Sequence, residues 1–293
     1  MIHLMDSLQV NQVCMMGIGN SISAGWTAIN NNVCPWLEKF KPFVDANNNL
    51  GVNINFKTFS IAGENSNQQI YEFLCQNPSL NDVKKHFSIV FDGWKKTYQG
   101  TCLENYVDKE QAMSFYPSGT EHFQDFYNNQ TFTITSFFGC TGELLNHLRQ
   151  IPNKTGRELI FEKEILYLQK IITYVLSLSN NSYMTVGNFP IITRYIPFVT
   201  SWIQSVNQDI QNCVSQYSNT FYFEGIYLDL LNHYQGKFKL DNHPSLEWQY
   251  YSLYQYIYFL MQQISFLLKN KENAYFLADD LLNIQKKALV LRD

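Results

Sequence analysis

The chain has 293 residues, of which 45% are hydrophobic and 16% charged, with a net charge of -4. That balance suits a globular chain with a buried core and excludes an extended disordered one. No block of like charges occurs, so the electrostatic footprint of a nucleic-acid binder is missing. Length alone fits one large α/β domain or two small ones. No Pro/Gly/Ser linker and no internal repeat divides the chain, so residues 1–293 are read as a single domain. Aromatic residues reach 16%, with 19 Tyr and 22 Phe, enough for a heavily aromatic core and for a few rings lining an acyl or sugar groove.

Five strands are predicted in chain order: 12–18, 52–61, 131–138, 182–187 and 219–223. Each is short, rich in Val, Ile, Thr, Phe or Tyr, and most end in Gly or polar residues. Residues 87–93, Phe-Ser-Ile-Val-Phe-Asp-Gly, compete for a place in the sheet on composition. Helices are predicted over 157–178, 198–216, 246–268 and 274–291. In the first of these Leu159, Phe161, Ile165, Leu168, Ile172 and Val175 recur at helical spacing; in the second, Val199, Trp202, Val206, Ile210 and Val214 do. Strands alternating with helices predict an α/β fold with a mainly parallel five-stranded sheet. Residues 76–130 show no clear period and are read as an irregular insertion of the kind that shapes a binding site.

The aromatic run 250–268 is broken by Ser252, Gln255, Gln262, Gln263 and Ser265. A membrane span should be apolar over about 20 residues, so this run predicts a buried helix and no transmembrane segment. The first residues, Met-Ile-His-Leu-Met-Asp, lack the basic and apolar regions of a signal peptide. The expectation is a chain that is cytoplasmic or exported without a cleavable signal. Cys14, Cys34, Cys75, Cys102, Cys140 and Cys213 are scattered with no Cys-x-x-Cys pair, so no metal site is predicted. Cys14 lies within the first strand and is expected as a buried thiol. No phosphate-binding glycine motif is complete, so no nucleotide cofactor is expected, nor any other.

The chemistry concentrates in two places. Gly19-Asn20-Ser21 follows the first strand, where a parallel sheet presents its ligand-binding edge. Taken alone, such a stretch is more often a turn or a helix cap than a catalytic site. A serine nucleophile needs a base, and of the six histidines His243 has the setting that looks prepared, with Asp241 two residues before it and Pro244 after it. Cys140, after the third strand, reads as a small packing residue.

Taken together and in order, these pieces resemble the SGNH (GDSL) hydrolase family. Residues 19–25, Gly-Asn-Ser-Ile-Ser-Ala-Gly, stand where that family has Gly-Asp-Ser-Leu-Ser-x-Gly. Gly63 matches the glycine of the family's second block, and residues 187–190, Gly-Asn-Phe-Pro, match its Gly-Asn-Leu-Pro. Residues 241–245, Asp-Asn-His-Pro-Ser, are similar to its closing Asp-x-x-His-Pro block. The match covers residues 13–265. The Gly-x-Ser-x-Gly elbow of the larger α/β-hydrolases is absent around Ser21.

The resemblance implies a three-layer flavodoxin-like fold with five parallel strands and cofactor-free ester hydrolysis by a triad of Ser21, His243 and Asp241. The N–H groups of Ser21 and Gly63 would form part of an oxyanion hole. Two departures stand out. Asn20 replaces the usual Asp, and the third block, Gly139-Cys140-Thr141-Gly142-Glu143, has no Asn. Thr141 through its hydroxyl, or the Gly142 N–H, would then complete the hole. The expected substrate is a carboxylic ester, either a lipid or phospholipid acyl ester of the lipase or acyltransferase type, or an acetylated carbohydrate. Peripheral lipid contact accompanies the first of these. The alternative is an SGNH-fold binding module with little turnover.

Overall fold

The computed structural model describes residues 12–20, 23, 53–61, 66–97, 109–114, 116–128, 131–138, 154–189, 191–192, 197–224, 227–228, 256, 259–260 and 262–263. Strand β1 (Gln12–Gly19) is followed by β2 (Asn53–Thr58), α1 (Asn67–Cys75), α2 (Leu80–Thr97) and α3 (Lys109–Ser114). A 3-10 turn at Phe123–Phe126 leads to β3 (Phe132–Phe138), α4 (Lys154–Ser177), β4 (Ser182–Gly187) and β5 (Ile191–Ile192). Then come α5 (Pro197–Val214), β6 (Thr220–Phe223) and β7 (Tyr227–Leu228).

Five strands form one sheet in the order β2-β1-β3-β4-β6, all pairs parallel, and β5 and β7 form a separate parallel pair. This is the flavodoxin-like doubly wound order, with helices on both faces. Burial explains the order. In β1, Val13 through Asn20 are buried without interruption, as expected of a central strand covered on both faces. In β2, Ile54, Phe56 and Thr58 are buried while Asn53, Asn55 and Lys57 are not, the alternation of an edge strand. The Cys14 thiol is buried, as its place in the strand predicts.

Adjacent side chains of β3 point to opposite faces and report what covers each. Thr135 shares a 2.7 Å hydrogen bond with the Tyr127 hydroxyl. The Tyr127 ring meets Phe123, and Phe123 stacks on Tyr174 of α4, so α4 lies on the Thr135 face. Ser136 faces the other way and accepts a hydrogen bond from the Tyr256 hydroxyl, in a helical stretch near the C-terminus.

The strand predicted at 87–93 is instead part of α2. Leu80, Val83, Phe87 and Phe91 are spaced by three and four and are all buried, whereas Ile89 is 63% exposed. In a strand Ile89 would share a face with Phe87 and Phe91; a helix turns it away. Ser79 starts this helix with a capping box. Its Oγ accepts from the Asp82 N–H at 3.2 Å, and its own N–H and hydroxyl donate to the Asp82 carboxylate at 2.9 and 2.6 Å. Residues 76–130, expected as irregular, therefore contain an 18-residue helix that contributes Phe87 and Phe91 to the core.

Helix α4 also departs from the expected face. Leu168, Ile171, Ile172 and Val175 are buried, but Leu159 is 62% exposed. Nine residues separate Leu159 from Leu168, which puts them half a turn apart. The buried stripe instead includes Glu164. Its Oε2 accepts from the Asn67 N–H at 2.8 Å, and its carbonyl accepts from Asn67 Nδ2 at 2.9 Å. A carboxylate thus meets the N-terminus of α1, where unpaired N–H groups and the helix dipole favour negative charge. In α5, Val206, Ile210 and Val214 are buried as predicted, and Trp202 is half-buried. The expected helix at 246–268 is described only at residues 256, 259–260 and 262–263, which are helical, and that at 274–291 lies outside the described residues.

Candidate active site

The carboxyl edge of the sheet is built from the ends of β1, β2, β3 and β4. Gly19 closes β1 with φ +144, a conformation open to glycine and strained for other residues. A Cβ there would also lie 2.5 Å from the carbonyl oxygen of Phe138 and against Ser23 Oγ. Only glycine lets β1 end this close to β3. The turn that follows is tied by Ser23 Oγ, which donates to the Asn20 carbonyl at 3.1 Å; both residues are buried. Asn20, the first residue beyond β1, is buried at this turn.

Beyond β2 the chain stays beside β1. The Phe59 N–H donates to the Gly17 carbonyl at 2.7 Å, and the Ile61 N–H donates to the Gly19 carbonyl at 2.8 Å. The pairing therefore runs to the last residue of β1. The chain leaves β1 toward β2 on one side and passes to β3 on the other, so the topological switch point falls between β1 and β3. Ligands of doubly wound sheets bind at the carboxyl end of such a point.

The end of β4 is clasped rather than loose. Asn207 of α5 accepts from the Phe189 N–H at 2.7 Å and donates to the Phe189 carbonyl at 3.0 Å, and the Asn188 N–H donates to the Phe223 carbonyl at 2.9 Å. Both polar groups of a buried backbone unit are satisfied by one amide, which fixes the path of the chain as it leaves the sheet.

Ser21, Gly63, Thr141, Asp241 and His243 lie outside the described residues, as does Cys140. Two of the other histidines are occupied elsewhere. His122 Nδ1 bonds the Asn77 carbonyl at 2.7 Å, and His86 packs on the Phe73 ring. Among the described residues no three or more His, Cys, Asp or Glu gather as metal ligands. No helix among them is long and apolar enough to cross a membrane.

The sequence did not single out the hydroxyl cluster under this edge. Thr58, Gly17, Ser136 and Thr185 register across β2, β1, β3 and β4, with Thr58, Ser136 and Thr185 all buried. Tyr256 descends on this row. Its hydroxyl donates to Ser136, which Thr185 of β4 neighbours in register. Its ring meets Phe138 edge-on at 4.7 Å and Phe223 at 5.0 Å. Complete burial pushes the Tyr256 phenol far above the ordinary tyrosine range, so it is a neutral donor near neutral pH. The one signal in the sequence was Thr-Ile-Thr-Ser in a central strand, since buried hydroxyls require partners.

No protein-family model matches this chain, and no curated protein matches it. Solved structures of similar shape include an acetyl xylan esterase from the rumen bacterium Butyrivibrio proteoclasticus. It is 11% identical with a TM-score of 0.45, over 86% of this chain and 64% of that one. A family two carbohydrate esterase from Cellvibrio japonicus is 12% identical with a TM-score of 0.42, over 88% and 63%. A family two carbohydrate esterase from Clostridium thermocellum, in complex with cellohexaose, is 13% identical with a TM-score of 0.40, over 86% and 65%. The chain spans less than two thirds of the length of each of the three. At this distance the likeness says nothing of substrate.

Proposed function

We propose that this chain hydrolyses a carboxylic ester through Ser21, His243 and Asp241. The observation that carries the reading is the hydrogen bond from the Ile61 N–H to the Gly19 carbonyl, at the carboxyl edge of the sheet and at its switch point. Ser21 stands two residues beyond Gly19, and Gly63 two residues beyond Ile61. Two residues span at most about 7 Å. The bond therefore supports pairing the N–H groups of Ser21 and Gly63 around one oxyanion.

In this mechanism Ser21 Oγ attacks the ester carbonyl while His243 accepts its proton. Asp241 orients the imidazole and stabilises its charged form. The tetrahedral oxyanion is held by the N–H groups of Ser21 and Gly63, with the Thr141 hydroxyl in the place of the absent Asn. Collapse expels the alcohol, which takes the proton from His243. Water then repeats the sequence on the acyl-enzyme and frees the acid.

Labelling with a fluorophosphonate probe tests the reading. Wild type should label, and Ser21→Ala and His243→Ala should not. p-Nitrophenyl esters of increasing acyl length, alongside an acetylated xylo-oligosaccharide, then separate lipid from carbohydrate substrates. If wild type neither labels nor cleaves any of these, the fold serves as a binding module. The absence of Asn from residues 139–143 is the feature that favours that outcome.

A further inference from the structure

Tyr256 is the largest fully buried side chain of the described chain, and its phenol enters the hydroxyl row directly below the carboxyl edge. It touches Phe138, the β3 residue in register with Gly19, and Phe223, the last residue of β6. Phe259 adds a further ring against Phe223 at 5.3 Å. These aromatic contacts have a modest orientational preference, so they hold a helix on the sheet while defining only weakly how far along its axis it sits. A hydrogen bond in a dry interior is directional and weakens steeply when its geometry is lost. Among the described residues, the bond from Tyr256 to Ser136 is such a directional contact between this segment and β3.

We propose that Tyr256 is a positioning residue, setting the register of the C-terminal helical segment on β3 and, through it, the reach of the base His243. The proposal rests on the ester-hydrolase reading. His243 precedes Tyr256 by thirteen residues. A base must come within about 3 Å of the nucleophile, and a displacement of about 1 Å costs on the order of a hundredfold in rate.

Tyr127 supplies an internal control. It too is buried and bonds a hydroxyl of β3, at the neighbouring residue Thr135 on the opposite face. Its ring belongs to the turn before β3 and not to the segment that follows His243.

The experiment compares Tyr256→Phe, Tyr127→Phe, Ser136→Ala and the Tyr256→Phe/Ser136→Ala double variant in the full chain. Urea midpoints and steady-state kcat and KM on p-nitrophenyl acetate are measured. Tyr256→Phe and Tyr127→Phe should lose similar stability. Tyr256→Phe should lose tenfold or more in kcat with KM within twofold, and Tyr127→Phe should keep kcat within twofold. Ser136→Ala, which breaks the same bond but leaves the ring, should match Tyr256→Phe, and the double variant should be no worse than either. Equal kcat for the two tyrosine variants overturns the proposal. Should Tyr256→Phe not fold, Ser136→Ala against Tyr127→Phe decides by the same criterion. Wild type without labelling or turnover sinks the ester-hydrolase reading instead. Hydrogen exchange of residues 256–263 then decides the register claim. Exchange at least tenfold faster in Tyr256→Phe than in Tyr127→Phe supports it, and equal exchange overturns it.

Discussion

Tyr127 and Tyr256 reach the same strand from opposite faces of the sheet and bond adjacent residues, Thr135 and Ser136. Both phenols are buried, and burial raises both well above the ordinary tyrosine value. The middle of the sheet is thus held on each side by one aromatic residue with a polar tip, an arrangement with consequences for its pH dependence.

Alkaline stability should fall because of these two residues. An unfolded tyrosine ionises near pH 10, whereas the buried phenols stay neutral above it. Their contribution is complete below pH 10 and is lost as pH rises beyond that toward their folded values. Each steepens the loss by about 1.4 kcal/mol per pH unit. Urea midpoints between pH 8 and pH 11 should show wild type falling faster than Tyr256→Phe, even though the variant starts less stable. Parallel curves would remove Tyr256 from this account.

Gly19→Ala should destabilise by at least about 2 kcal/mol, since it combines a strained φ with a clash against backbone that cannot rotate away. Gly93 is the comparison. It lies in α2, and a methyl group placed there would meet nothing within 4 Å, so Gly93→Ala should leave the urea midpoint unchanged or raise it.

Acid stability should depend on the α2 cap. The Ser79 hydroxyl and N–H hold the Asp82 carboxyl below its usual range. A lowered value means the contribution is present above the unfolded value near 3.8 and is lost as pH falls through the folded value. Ser79→Ala should cost about 1 kcal/mol at pH 7. Thermal melts from pH 6 down to pH 2.5 should show the gap between wild type and variant closing at the acid end.

If His243 is the base, kcat/KM should fall on the acid side of neutral as the imidazole protonates. A profile flat from about pH 5 to pH 8, the span of histidine titration, would exclude it.

The sheet was legible because a central strand buried on both faces and an edge strand buried on one leave different patterns. Met15-Met16 and Asn53-Ile54-Asn55-Phe56 carry those patterns openly. Residues 87–93 misled because Ile and Val suit strands, while the helical spacing depends on Leu80 and Val83, outside the short window. The phase error at Leu159 has a related cause: a stripe of apolar residues was assumed to mark the buried face, and Glu164 occupies a place on it. No property of Glu164 alone announces Asn67 as its partner, 97 residues away in the chain. At the site, the need for a glycine before Ser21 was readable from the turn it makes. The partnership of Tyr256 with Ser136 was not, because it depends on how the helical segment around Tyr256 lies over the sheet.

The link between Glu164 and Asn67 carries one more consequence. Ile61 is tied to the end of β1, and Asn67 is tied to the middle of α4. The stretch between them, which includes Gly63, therefore has both ends held by buried hydrogen bonds. Most surface connections accept an extra residue at little cost. Here an insertion or deletion must either be absorbed between two fixed posts or break a buried hydrogen bond at one of them.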